Sequence, residues 1–321
     1  MKFRFPIIII DEDYRTDNTS GSGIRALAKA IEDQGWEVVG VTGPKGYDGV
    51  KSMSVEELLA VPDLKAVAVE TTLETSCAMA QRCVEAGKHV HLDKPGAVDH
   101  AEFKRMRLAA EQKGLTVQMG YMLRYNPAFT LLFQAVREGW LGEITEIDAA
   151  MGKLADPGTR AKIGALEGGG LFELGCHVID AVLTLLGKPS AVTAFSTPTG
   201  SDGVKDNQMA VLQYAKATAV IRCNHADPFG GPRRRFNVTG TEGTLEIVPL
   251  ESGQVTLSLT KARGSYKKGT QKIELKVPKG RYDLEFIDLA KIVRGEKKLA
   301  WDAAHDIAVH ETVLRAAGIW K

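Results

Sequence analysis

The chain has 321 residues, of which 44% are apolar and 25% charged, and its formal net charge is +1 at pH 7. This length favours two domains, because single hydrophobic cores usually stop growing near about 250 to 300 residues. Balanced charge gives no overall field that attracts nucleic acid or an anionic membrane, so we expect neither partner. The four cysteines form no CxxC pair and no zinc-type spacing, so we expect reduced thiols, no metal and a cytoplasmic location.

The first 140 residues alternate strand and helix patterns. Apolar runs rich in β-branched residues predict strands at 7–10, 36–42, 66–70, 89–92 and 116–119. Amphipathic segments between them predict helices at 23–34, 54–60, 75–86, 99–113 and 127–138. This alternation indicates a Rossmann-like, doubly wound parallel sheet, with ligands at the carboxyl ends of its strands.

The pattern changes after Gly139. Successive strand signals joined by turns predict a mostly antiparallel sheet, and helices are predicted at 175–186, 282–294 and 303–317. The predicted fold class is therefore α/β: a Rossmann-like dinucleotide-binding domain at 1–125, then an α+β domain at 126–321 for substrate binding and oligomerisation.

The opening segment has an unusual dinucleotide motif. Gly21 and Gly23 fit GxGxxA and are the candidate glycines for the cofactor, but ten residues separate the motif from the first strand. That strand ends in acidic residues, which would repel a phosphate group. The repulsion between one carboxylate and a phosphate about 6 Å away is on the order of 3 kcal/mol at an effective dielectric of 20. No acidic residue that could bind a ribose 2′-hydroxyl follows the second strand. Lys45 favours NADP as the cofactor, although NAD remains open.

The ends of the third and fourth strands carry candidate ligand contacts. The fourth strand ends in Asp93, Lys94 and Pro95, which places an ammonium at the carboxyl edge of the sheet. Thr71 and Thr72 directly follow the third strand and are candidate donors to the cofactor. A surface lysine after a strand is the simpler alternative for Lys94.

Two acidic residues and a histidine follow three glycines at 168–170, and they are four and three residues apart, as residues on one face of a helix are. Glu173, His177 and Asp180 share one face if the helix extends back to Glu173. A carboxylate one turn from an imidazole can orient it for proton transfer near neutral pH. The simpler alternative is a helix-start glutamate and a core histidine.

These segments together resemble the Gfo/Idh/MocA family of NAD(P)-dependent oxidoreductases, from about Tyr47 to the C-terminus. The resemblance is carried by "AGKHVHLDKP", "GYMLRYNP", "GGGLFELGCHVID" and "GTEGTLEI". It implies that Lys94, His177 and Glu173 are catalytic and that Asp93 and Lys94 contact the cofactor.

The resemblance also implies a substrate and an assembly. The substrate would be a secondary alcohol of a sugar, cyclitol or related molecule, which places the chain in carbohydrate metabolism, and the chain would form a homodimer or homotetramer. The predicted substrate-binding residues are Tyr121, Arg124, Asn126 and Asp180.

Two other interpretations remain open. Residues 3–42 resemble the N-terminal, receiver-like wing domain of bacterial ornithine/lysine/arginine decarboxylases, which indicates a replaced first βαβ unit. The main alternative is a non-catalytic binding or scaffold protein that has lost its affinity for the cofactor. A receiver-like phospho-switch is the other, because Asp11, Asp13 and Lys94 imitate part of a receiver site. Glu70 stands where the phosphorylated aspartate of a receiver belongs.

Overall fold

The computed structural model describes residues 5–11, 32–33, 35–42, 52–280 and 282–320, with backbone alone for 5–11. These residues form two units. The first unit contains Met1–Met122 and Pro278–Ile307, and the second contains Leu123–Val277 and Ala308–Lys321. The division at 125/126 stays a prediction, and the structure groups the late segment Pro278–Ile307 with the first unit.

The described helices are eight α-helices and two short segments of other helix types. The α-helices are α1 Val55–Leu59, α2 Leu73–Glu85, α3 His100–Gln112, α4 Pro127–Arg137, α5 Pro157–Ala165, α6 Cys176–Leu186, α7 Asp283–Val293 and α8 Ala303–Ala316. A 3₁₀ segment covers Met122–Tyr125, and a π-helical turn covers Leu171–Gly175. Among the described helices, none has the length and apolar content that a membrane span requires.

The first unit contains a five-stranded parallel sheet. Its strands are β1 Phe5–Asp11, β2 Trp36–Val41, β3 Ala66–Glu70, β4 His89–Leu92 and β5 Val117–Met119. They lie in the order β2-β1-β3-β4-β5. In the short strands β3 to β5, every residue except the half-buried His89 is buried, as expected for a parallel sheet with both faces covered.

Helix α7 returns late in the chain to cover this sheet. Its Phe286, Leu289 and Ala290 join a buried cluster with Trp36, and the Trp36 Nε1 donates a hydrogen bond of 3.1 Å to the Phe286 carbonyl. A Trp side chain is stable in a core when its N–H finds an acceptor. The return of Pro278–Ile307 is therefore part of the hydrophobic core of the first unit.

The second unit contains an eight-stranded sheet. Its strands are β6 Ile144–Ala150, β7 Ala191–Thr197, β8 Asn207–Gln213, β9 Thr218–Asn224, β10 Arg235–Gly240, β11 Gly243–Ile247, β12 Gln254–Leu259 and β13 Gly269–Glu274. The order is β13-β12-β11-β10-β6-β9-β8-β7, antiparallel except for the parallel pair of β6 and β9. Side chains alternate between buried and partly exposed along β8 and β12, so one face forms a core, and α6 contacts β6 and β9.

The predicted fold class is confirmed, with a parallel Rossmann-type sheet followed by a mostly antiparallel one. Most described elements begin and end within two residues of the predicted bounds. Helix α5 was not predicted, and the predicted helix at 23–34 lies almost wholly outside the described residues.

Candidate active site

Lys94 lies at the carboxyl edge of the first sheet, directly after β4. The Asp93 amide continues the pairing of the strands with a 3.1 Å hydrogen bond to the Val69 carbonyl. Asp93 and Lys94 are half-buried, whereas Pro95 and Gly96 are buried. The chain therefore turns inward after Lys94 and leaves its side chain at the edge where ligands bind in parallel sheets.

The turn after Lys94 is fixed from two sides. The Ser76 hydroxyl, on α2, donates a buried 2.9 Å hydrogen bond to the Gly96 carbonyl. Gly96 has φ of +94°, and a Cβ there would lie 2.8 Å from the Met119 Cε and 2.9 Å from the Phe103 ring. Only glycine suits this position, since both its conformation and its surroundings exclude a side chain.

Thr71 and Thr72 lead from β3 into α2. Thr72 is the residue before the helix, and its hydroxyl lies 3.1 Å from that of Thr75. The Thr71 hydroxyl donates to the Thr72 carbonyl at 3.2 Å. The helical hydrogen bonds to Thr72 begin with the amides of Thr75 and Ser76, so the preceding first-turn amides have no acceptor within the helix.

The donors of this edge fit a dinucleotide. First-turn amides of a 13-residue helix favour a phosphate group, because the amides and the helix dipole both attract an anion. Lys94 adds a cation, while the carboxylate of neighbouring Glu70 is buried, 3.8 Å from the His91 ring. Thr71, Thr72, Asp93 and Lys94 as cofactor contacts remain predictions.

Several predicted positions lie outside the described residues. These are Gly21, Gly23 and Lys45, together with the side chains of Asp11 and Asp13. The buried position of Glu70, which is 4% exposed, does not favour the phosphorylation that the receiver interpretation requires there.

In the second unit, three glycines allow close packing before α6. Gly168 and Gly169 have positive φ. The Gln208 side chain donates a hydrogen bond of 3.0 Å to the Gly168 carbonyl and accepts one of 2.9 Å from the Leu171 amide. A Cβ on Gly170 would lie 2.2 Å from the His225 ring. The glycines thus bring the backbone against Gln208 and His225 and fix where the π-turn begins.

The π-turn changes the expected relation of Glu173 to His177. A regular α-helix does not extend back to Glu173, because Leu171–Gly175 is π-helical and α6 begins at Cys176. His177 and Asp180 lie within α6 and are buried, while Glu173 is half-buried. Single π-turns inside helices often occur at functional sites, so this irregularity supports a functional role for the segment.

Arg124 and Asp180 form a buried ion pair within the second unit. The Arg124 Nε and Nη2 reach both oxygens of Asp180 at 2.7 to 3.2 Å, and both side chains are fully buried. Such a forked pair gives both residues a structural role, and their contact with substrate stays a prediction. Asn126 caps the start of α4, and its side chain accepts a hydrogen bond of 2.8 Å from the Ala128 amide.

Tyr121, the other predicted substrate contact, belongs to the first unit. It is 1% exposed, and its amide donates to the Met119 carbonyl at 2.8 Å just beyond β5. The contact of Tyr121 with substrate likewise stays a prediction.

His225 is not among the predicted site residues. It is 1% exposed, its Nε2 lies 3.4 Å from the Cys223 Sγ, and its amide donates to the Asp206 carbonyl at 2.7 Å. Burial lowers the pKa of His225, and the Glu173 carboxylate opposes this shift. His225 therefore interacts electrostatically with Glu173, a candidate catalytic residue. The sequence signal was a histidine directly after a strand end, which by itself is common.

Comparison with known families covers both units. Residues 22–121 match the oxidoreductase family with an NAD-binding Rossmann fold, and residues 129–246 match the GFO/IDH/MocA C-terminal domain. The first match begins at residue 22, upstream of Tyr47, the residue at which the resemblance in the sequence begins. It identifies an NAD-binding Rossmann domain, in agreement with the predicted NAD or NADP.

Individual relatives are distant. The chain is 30% identical over 204 residues to the uncharacterized oxidoreductase YhhX of Escherichia coli, covering 63% of this chain and 58% of YhhX. It is 29% identical over 188 residues to the scyllo-inositol 2-dehydrogenase (NADP(+)) IolW of Bacillus subtilis, covering 57% and 52%. The matches thus span little more than half the length of these relatives.

A solved structure shows the same fold over nearly the whole chain. It is that of UDP-N-acetylglucosamine 3-dehydrogenase GnnA from Acidithiobacillus ferrooxidans, with a TM-score of 0.80 and 17% identity over 98% of this chain and 97% of GnnA. The two family domains occur in order along the chain and contain most of the two sheets. The protein therefore belongs to the GFO/IDH/MocA family of oxidoreductases.

Proposed function

We propose that this chain transfers hydride between NAD or NADP and a secondary alcohol of a sugar, cyclitol or related small molecule. The position of Lys94 carries the proposal, because it is a half-buried cation directly after β4 at the ligand-binding edge of a Rossmann sheet. The name of IolW, a dehydrogenase of an inositol, supports an alcohol of this kind.

The proposed chemistry divides between a cation and a base. When bound, the nicotinamide supplies the hydride acceptor or donor. The hydroxyl proton of the alcohol must leave as the carbonyl forms, and we assign His177 as its acceptor. We assign Lys94 to hold the alcohol oxygen and stabilise the negative charge that develops on it. We assign Glu173 to orient the imidazole and to stabilise the positive charge that the imidazole gains with the proton.

The remaining features of the proposal concern the setting of the enzyme. We place it in the cytoplasm and in carbohydrate metabolism, and we propose a homodimer or homotetramer. The partly exposed face of the eight-stranded sheet, with the half-exposed Phe195 on β7, supports assembly through the second unit.

A cofactor titration is the first test. NAD⁺, NADH, NADP⁺ and NADPH are titrated separately against the protein, with binding followed by calorimetry. We expect micromolar to submillimolar binding of at least one pair. If none of the four binds at millimolar concentration, the enzyme proposal fails and the non-catalytic scaffold is favoured.

The proton-transfer role is tested with His177→Ala. Oxidation is assayed on a panel of cyclitols and sugars that begins with scyllo-inositol, by nicotinamide absorbance. We expect kcat to fall by about 10²- to 10⁴-fold, the usual contribution of a positioned base, while cofactor affinity changes little. His100→Ala, at the half-exposed start of α3, is the matched control and keeps both. Equal loss of turnover and cofactor affinity in His177→Ala would contradict the assignment.

A further inference from the structure

A buried histidine lies between two buried glutamates beneath the edge that carries Lys94. His91 is on β4, Glu70 ends β3, and Glu285 is on α7; their exposures are 0%, 4% and 0%. The His91 Nε2 lies 3.8 Å from a Glu70 oxygen and 3.8 Å from a Glu285 oxygen. We call Glu70, His91 and Glu285 the acid–histidine cluster.

The hydrogen bonds of Gln118 determine where one proton of His91 lies. The Gln118 Nε2 is 3.0 Å from the Glu285 backbone carbonyl, and it must be the amide nitrogen because a carbonyl only accepts. The amide oxygen then faces the His91 Nδ1 at 3.0 Å. The Nδ1 must therefore carry a proton.

The other ring nitrogen then decides the charge of the cluster. With Nδ1 protonated, a neutral ring would direct the lone pair of Nε2 at two carboxylates, which repel it. A second proton on Nε2 instead gives an imidazolium that both carboxylates attract. The geometry thus favours a doubly protonated His91.

The described groups around the ring come from the elements next to β4. Glu70 comes from β3, the neutral Gln118 from β5, and Glu285 from α7, where the Phe286 ring lies 4.7 Å from the imidazole. Helix α2 also contacts β4, and its buried thiols Cys77 and Cys83 are neutral, because burial raises the pKa of each. On β4 itself, His89 accepts from the Thr116 amide at 3.0 Å, and Asp93 follows the strand. Among these described groups, the two glutamates carry the charges closest to the ring.

We propose that His91 is a positioning residue, held as an imidazolium between Glu70 and Glu285, that compensates the Glu70 charge beside the cofactor. Glu70 immediately precedes Thr71 and Thr72, where the proposed function places the dinucleotide. Without a compensating cation, a buried carboxylate at this edge would repel the phosphates of the cofactor. This inference rests on the proposed function for its consequence, but not for the protonation of His91.

The protonation is tested directly by NMR. The chain has seven histidines, and the ring ¹⁵N signals of His91 are assigned by their loss in His91→Gln. We expect both His91 nitrogens to carry protons at pH 7.5. In Glu70→Gln the second proton should leave at a lower pH than in the wild type. A neutral His91 ring at pH 7.5 would overturn the inference, whether or not a cofactor binds.

The consequence is tested by cofactor affinity in four proteins: wild type, His91→Gln, Glu70→Gln and the double variant. We expect His91→Gln to raise Kd by roughly tenfold, as one uncompensated charge at a partly screened site would. The double variant should return to within about twofold of wild type, and Glu70→Gln alone should bind no more weakly than wild type. His89→Gln, on the same strand, is the control without effect.

The outcomes separate the two proposals. A wild type that binds none of the four cofactors refutes the proposed function, while the NMR result still decides the protonation. A wild type that binds, with His91→Gln folded and equally tight, refutes the compensating role. If His91→Gln does not fold, weaker binding by Glu70→Gln than by wild type contradicts that role.

Discussion

A single residue, Gly170, shows why the glycine segment before α6 tolerates no side chain there. The His225 ring lies where a side chain on Gly170 would be, with two ring atoms 2.2 Å from an ideal Cβ. His225 is itself held by the Asp206 carbonyl and buried beside Cys223. Neither partner can retreat without loss of a buried contact.

We therefore expect Gly170→Ala to reduce the free energy of unfolding of the second unit by about 1 to 3 kcal/mol, the usual cost of overpacking. The measurement is urea denaturation followed by circular dichroism. Gly231→Ala is the control, because no atom lies within 4 Å of its added Cβ, and a change below about 0.5 kcal/mol is expected. If the cost is the same in a His225→Ala background, the ring is not its cause.

At the scale of elements, the Arg124–Asp180 pair connects the 3₁₀ segment after the first sheet to helix α6. The pair is fully buried and makes three hydrogen bonds of 2.7 to 3.2 Å. A buried pair adds little compared with apolar residues of the same size, because both charges lose water. Removing one partner, however, leaves an uncompensated buried charge.

Arg124→Met and Asp180→Leu should each destabilise the second unit by about 3 to 5 kcal/mol, whereas the double variant should recover most of that loss. Thermal and urea unfolding provide the measurement. Lys216→Met is the matched control, since its 2.6 Å pair with Glu143 is exposed, and a loss of at most about 1 kcal/mol is expected. Additive losses in the double variant would show that the charges act independently.

The sequence predicted the regular elements because their signals are local. Strand β3 reads as a short β-branched run, and α4 begins at Pro127 after the capping residue Asn126. The π-turn was not predictable, because it depends on Gln208 and His225, which come from β8 and the end of β9. The pairing of Arg124 with Asp180 joins residues 56 positions apart, and no local pattern reports such a contact.

At the scale of the whole molecule, the first unit depends on a segment that follows the second unit's sheet in sequence. Phe286 on α7 is fully buried in the cluster around Trp36, and Gln118 on β5 donates to the Glu285 carbonyl. A helix pattern shows an apolar face without showing which sheet that face covers, so this packing of α7 is not readable from its sequence.

Phe286→Ala should cost about 3 to 5 kcal/mol of unfolding free energy, and the loss should fall on the first unit. Phe229→Ala makes the same substitution at a side chain that is 70% exposed and should change stability by less than about 0.5 kcal/mol. Hydrogen exchange locates the effect: amides of β3 to β5 should lose protection in Phe286→Ala, while those of β8 and β9 should keep it. Equal losses in both sheets would contradict the assignment of α7 to the first unit.

The late return of α7 has a consequence for synthesis on the ribosome. Strands β1 to β5 emerge before residue 122, yet the helix that covers one face of their sheet begins at Asp283. At about 5 to 20 residues per second, that face waits roughly 8 to 30 s for its cover. During this interval its apolar residues are exposed to chaperones and to other nascent chains, so we expect this sheet to be prone to aggregation during translation.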